Sequence, residues 1–177
     1  KYVKTEDNLS FSLKSRGIVV ELHWELSGCY LSAPLTLEQM QEDLCRISVL
    51  EKEVQILCPE MLLVFLCIHG SKEGWGCLEQ VCSVSEIIRR KKDLDWSYVE
   101  RLASRWKCRR ILWLGLTLAE ELFSVPVPVR ISEKMRKDQA VKNAACGVRD
   151  RLLQDSDDSE GDTYVGRFSF VHLHLKD

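Results

Sequence analysis

The chain has 177 residues, and its 25 lysines and arginines against 27 aspartates and glutamates leave a formal net charge of −2. That balance excludes a global field that would gather nucleic acid or anionic membrane, although local basic patches remain possible. With 45% hydrophobic residues and few glycines and prolines, the composition is that of a globular protein with material for a real core. The length fits one domain, or a small domain plus part of another.

Lys1–Leu9 is polar and has no apolar export segment. The apolar run Met61–Ile68 is too short for a membrane span, which takes about 20 residues. A soluble, cytoplasmic chain without membrane partners is expected. The cysteines at 29, 45, 58, 67, 77, 82, 108 and 146 form no C-x-x-C pair, and most lie among apolar residues. Free thiols in a reduced core account for them better than disulfides or zinc.

Residues 9–14 and 17–26 predict a β-hairpin turning at Lys14-Ser15-Arg16-Gly17. In the second strand Ile18, Val20, Leu22, Trp24 and Leu26 alternate with Val19, Glu21, His23 and Glu25. One face should therefore pack on a core and the other carry ionisable groups. Thr36 and Gln39 then suit a capping box, with Leu37, Met40 and Leu44 at helical spacing. A short extended segment near Val54–Leu57 leads to Pro59 and a helix through Met61–His69, with Gly70 as its expected stop.

Further helices are expected over about 76–92, with Leu78, Val81, Cys82, Ile87 and Ile88 as the apolar stripe. Another begins after a cap at Asp95, with the stripe Trp96, Val99, Leu102, Ala103 and Trp106. The next runs through Ile111, Gly115, Leu118, Ala119 and Leu122 until Pro126 and Pro128 stop it. Small residues at 115 and 119 would allow close approach of a neighbouring helix. A last helix is placed near 138–153, followed by an acidic linker, Asp155–Asp162, and an alternating segment over 167–175. The fold class is α+β, mainly helical. It divides into a hairpin region (1–30), a helical domain (31–153) and the linker with its C-terminal segment (154–177).

Three constellations invite a chemical reading. Glu21, His23 and Glu25 share a strand face, where a carboxylate could meet a hard cation, though a solvated outer face gives the same pattern. His69-Gly70-Ser71-Lys72-Glu73-Gly74-Trp75 is a polar turn between apolar helices that could hold a phosphate or stack a base. It reads equally as a helix cap with Trp75 in the core. Arg89–Lys92 with Lys107, Arg109 and Arg110 could form an anion-binding edge, or simply solvated helix ends. His172 and His174 lack a third ligand and make a poor metal site.

The string Val20-Glu21-Leu22-His23-Trp24-Glu25-Leu26 resembles the strand of a bacterial family of uncharacterised nucleotidyltransferases. The likeness continues through Pro59-Glu60-Met61-Leu62-Leu63 and Leu66–Trp75. It goes on through Ile87-Ile88, Asp95-Trp96, Arg109–Leu112 and Gly115-Leu116, over about residues 9–153. The family is similar to polymerase-β-type nucleotidyltransferases, which place an active-site sheet before a helical region. The resemblance implies transfer of a nucleotidyl group from a nucleoside triphosphate to an unidentified acceptor, with Mg²⁺ held by three carboxylates.

By that resemblance Glu21 is the catalytic, metal-facing third carboxylate, and His69, Lys72 and Trp75 are candidates for substrate contact. The chain departs from the pattern: no glycine turn followed by an Asp-x-Asp pair precedes the strand, and Glu stands at 21 where the family has Asp. Glu73 stands in place of a histidine and Ser83 in place of an aspartate. The expectation is therefore the rear part of an enzyme, completed by an N-terminal part of the same protein and inactive alone. The rival expectation is a non-catalytic helical binding or assembly module, with Gly115 and Ala119 at a helix–helix contact; nucleic acid is an unlikely partner for either.

Overall fold

The structure, a computed structural model, describes residues 8–23, 40 and 44–153. Among these, two antiparallel hairpins precede six helices. The chain divides into two compact units, residues 1–56 and 57–177.

The first unit contains strands β1 (Asn8–Leu13) and β2 (Ile18–His23). Gly17, at φ 63°, supplies the left-handed residue of the turn, and the Arg16 amide donates to the Leu13 carbonyl at 3.0 Å. The register sets Leu9 opposite Leu22, Phe11 opposite Val20 and Leu13 opposite Ile18. One face is thus wholly apolar, while Ser10–Glu21 and Asn8–His23 belong to the other. The apolar face was expected to be buried on a core, yet its six residues are 48–54% exposed. A two-stranded ribbon has no second layer of its own, so alternation fixed the facing but not the burial.

Strands β3 (Leu44–Val49) and β4 (Lys52–Leu57) form the second hairpin. Met40 is helical and buried as expected, but Leu44 opens a strand instead of continuing a helix, and the extended segment begins ten residues before Val54. Cys45, Ile47 and Val49 alternate with Leu44, Arg46 and Ser48, and β-branched residues favour a pleated strand. The joining residues Leu50 and Glu51 both have positive φ, 49° and 64°, as a two-residue type I′ turn requires. Neither is Gly, Asn or Asp, so no turn signal was visible. The proposed capping box at Thr36–Gln39, and Trp24, Glu25 and Leu26, lie outside the described residues.

The second unit is a helical bundle. Helix α1 spans Pro59–Lys72, α2 Leu78–Arg90, α3 Trp96–Arg105, α4 Arg109–Phe123, α5 Val129–Lys137 and α6 Gln139–Leu153. Helix α4 is apolar almost all round and touches each of the other five. Its Leu112, Leu114, Leu116, Leu118 and Ala119 have no solvent exposure. Burying each such leucine stabilises the fold by about 1.5–3 kcal/mol before entropy is set against it.

Caps explain the boundaries. Asp95 accepts from the Tyr98 amide at 3.0 Å, as expected, and Glu60 Oε1 accepts from the Asp95 amide at 3.0 Å, tying α1 to α3. Asp138 accepts from the Val141 amide at 3.1 Å and caps α6. Helix α4 ends at Phe123, before Pro126 and Pro128 as expected, but Pro128 is also the N-cap of α5, a helix that was not expected because the prolines read only as a stop. Gly115 does permit a close crossing, since a Cβ there would stand 2.5 Å from Cys67 Sγ of α1. With Ala119 also fully buried, that surface is spent inside the bundle and offers nothing to an assembly partner.

Candidate functional site

Glu21 and His23 lie on one face of β2, two residues apart, both exposed, with His23 Nε2 3.3 Å from Glu21 Oε2. The imidazole can donate to the carboxylate or, when protonated, pair with it. Mg²⁺ demands near-octahedral oxygen ligands. One carboxylate with an imidazole beside it does not supply that set, and among the described residues no three His, Cys, Asp or Glu side chains gather to hold a metal.

The turn after α1 carries the other expected residues. Helix α1 continues past Gly70 to Lys72, so the glycine expected to end it lies in its last turn. A Cβ at Gly70 would stand 2.6 Å from Trp75, which explains the glycine by packing. Termination falls to Gly74 and Trp75, both left-handed at φ 65° and 53°, with the Trp75 amide donating to the Gly70 carbonyl at 2.7 Å. Trp75 is fully buried and its indole N–H donates to Ser71 Oγ at 3.1 Å. Its side chain shapes the turn from within and offers no surface to a ligand in this conformation.

His69 is exposed and stacked on Phe65, with ring centroids 6.1 Å apart. Lys72 and Glu73 are half-buried beside it. Arg151 of α6 donates to the Gly74 carbonyl and so braces the turn from a segment 77 residues away. Nothing in the sequence spacing pointed to that brace. The turn thus presents one imidazole and one ammonium on a rigid support, able to bind anionic or hydrogen-bonding groups. Ser83, on α2, is half-buried.

The basic clusters separate. Arg89, Lys91 and Lys92 line one groove with Trp96 and Pro126–Val129. Arg89 is engaged there, donating to the Phe123 carbonyl at 2.7 Å. Arg110 Nε donates to Asp138 at 2.9 Å, while Arg109 lines a different cavity. Among the described residues, the lining cations are split between two separate cavities instead of forming one continuous anion-binding edge. The seven described cysteines are free thiols, with Cys58, Cys67 and Cys108 buried.

Fold and site together define an α+β protein with an exposed strand carboxylate and a self-contained helical bundle. Residues 2–124 match the family model described as an uncharacterised nucleotidyltransferase, and the chain belongs to that family. No curated protein and no solved structure matches it. No described helix is long and apolar enough to cross a membrane.

Proposed function

We propose that the chain serves transfer of a nucleotidyl group from a nucleoside triphosphate, with Glu21 as an acidic, metal-facing group and His69 and Lys72 as substrate-contacting groups. The observation that carries this reading is Glu21 itself: an exposed carboxylate on the polar face of β2, in a chain matched by the family over residues 2–124. Held by His23, the carboxylate can accept a proton or support a cation, while the cationic turn at 69–72 suits phosphate oxygens.

Glu21 and His23 alone hold Mg²⁺ weakly, and this chain by itself transfers no nucleotide. Ahead of Glu21 only Glu6 and Asp7 are acidic, with no glycine turn before an Asp-x-Asp pair. The test is incubation of the chain with radiolabelled nucleoside triphosphates, Mg²⁺ and protein or small-molecule acceptors. No label should transfer; turnover abolished by Glu21→Gln would overturn the inactivity while upholding the residue. Turnover insensitive to Glu21→Gln would remove Glu21 from the site.

A further inference from the structure

A cavity of about 500 Å³ lies within the helical unit between α3, α4 and α5. Its walls carry Arg101, Arg109, Arg130 and Lys134 against a single carboxylate, Glu100. The residues recur at helical spacing, 97, 101 and 104 on α3, 109, 112 and 113 on α4, and 130 and 134 on α5. Each helix therefore turns one face to the cavity. Arg130 and Lys134 come from beyond the family match, which ends at residue 124.

We propose that this cleft binds a small phosphate-bearing anion. Glu100 receives both Arg130 and, at 2.7 Å, Lys134, so one negative charge is shared by two cations. Arg101 has Asp95 at 3.7 Å outside the cavity and lies over the Tyr98 ring. Arg109 Nη2 donates to Ser104 Oγ at 3.3 Å. Cationic charge thus exceeds acidic charge along the walls.

The helix ends add to it. Arg109 opens α4 and Arg130 is the second residue of α5, and neither helix has an acidic residue in its first turn or a side-chain cap. Cations at the positive end of a helix dipole are unfavourable unless an anion joins them. Leu112 and Trp113 supply an apolar wall, and the Trp113 indole N–H has no acceptor among the described residues. The volume and the mixture of cations with an aromatic wall suit a nucleotide-sized phosphoester.

The bland account makes Glu100 an ionic latch between α3 and α5. Titration calorimetry at low salt, in EDTA, with inorganic tripolyphosphate, ATP and adenosine separates the two. EDTA makes the result independent of Glu21 and Mg²⁺, so its failure would leave the transfer reading standing. Tripolyphosphate and ATP should bind and adenosine should not. Arg101→Glu and Arg130→Glu should each weaken binding on the order of tenfold or more, with circular dichroism unchanged. Should Arg130→Glu unfold the bundle, the exposed Arg101→Glu still decides.

Glu100→Gln releases two cations and should tighten tripolyphosphate binding severalfold, with the gain lost when Arg101→Glu is added. Absence of heat with both phosphates, wild-type affinity in folded Arg101→Glu, or loosened binding in Glu100→Gln would each overturn the proposal. So would a single-stranded RNA oligonucleotide binding more than tenfold tighter than tripolyphosphate.

Discussion

The six-membered ring of Trp75 occupies the space that a Cβ on Gly70 would need: ring carbons Cζ3, Cε3 and Cη2 stand 2.6–2.7 Å from that position. The residues are five apart in sequence, and the Trp75 amide closes back on the Gly70 carbonyl. The indole N–H reaches Ser71 in the same turn. The tryptophan therefore tolerates its left-handed backbone because burial and two hydrogen bonds hold it there.

Gly70→Ala should destabilise the bundle by about 1–3 kcal/mol through overpacking. Trp75→Ala should cost about 3–5 kcal/mol through the cavity it leaves. The double variant should cost less than the sum of the two, because the new methyl enters the vacated space. Urea unfolding of the three proteins gives the coupling, and strict additivity would mean that the ring moves aside freely.

Lys72→Ala should shift stability by no more than about 0.5 kcal/mol, as for other solvent-accessible substitutions. The exposure of His69 predicts a similarly small loss for His69→Ala, which a buried cap would not allow. Both should still weaken nucleotide binding in an active assembly. A Lys72→Ala protein that melts early but binds normally would remove Lys72 from the site.

Asp138 links α4 to the start of α6. Burial alone would raise its carboxyl, but the Arg110 guanidinium and the Val141 and Ala140 amides outweigh it and hold the group below the usual aspartate range. A depressed folded value means stability that is full above about pH 4 and lost as pH falls through the folded value. Arg110→Ala should cost about 1 kcal/mol at pH 7, discounted for the partial exposure of the pair. It should also flatten the fall in melting temperature as pH drops below about 4. An unchanged acid limb would show that the ion pair contributes nothing.

Replacing Leu50-Glu51 with Asn-Gly should stabilise the β3–β4 hairpin by about 1 kcal/mol, since both positions require positive φ. Hydrogen exchange of the β4 amides should slow roughly fivefold. Faster exchange would mean that the exposed Leu50 side chain matters more than the strained backbone.

The bundle was largely legible in the sequence because its signals are local. Stripes at helical spacing, the Asp95 cap and the small residue at 115 each report a nearby physical requirement. The β3–β4 hairpin was not legible, because its turn uses Leu50 and Glu51 in a conformation that neither residue favours. Helix α5 was hidden by prolines that serve as stops and starts alike. At the candidate site, alternation correctly put Glu21 and His23 side by side, but the half-exposed face of Leu9, Phe11 and Leu22 depends on neighbours that a period of two cannot name. The brace from Arg151 and the cleft around Arg130 are long-range meetings of helices, which no window of sequence contains.

The buried Cys67 gives the bundle a built-in clock. Its Sγ sits where α1 crosses α4 at Gly115, and burial, with Cys108 nearby, pushes its thiol far above the ordinary range. A thiol so protonated and enclosed cannot react with an alkylating reagent until the two helices part. Cys77 and Cys146 are exposed and react at once. The lag between these events, followed by mass spectrometry of each cysteine peptide, measures how often the interior of the native protein opens to solvent.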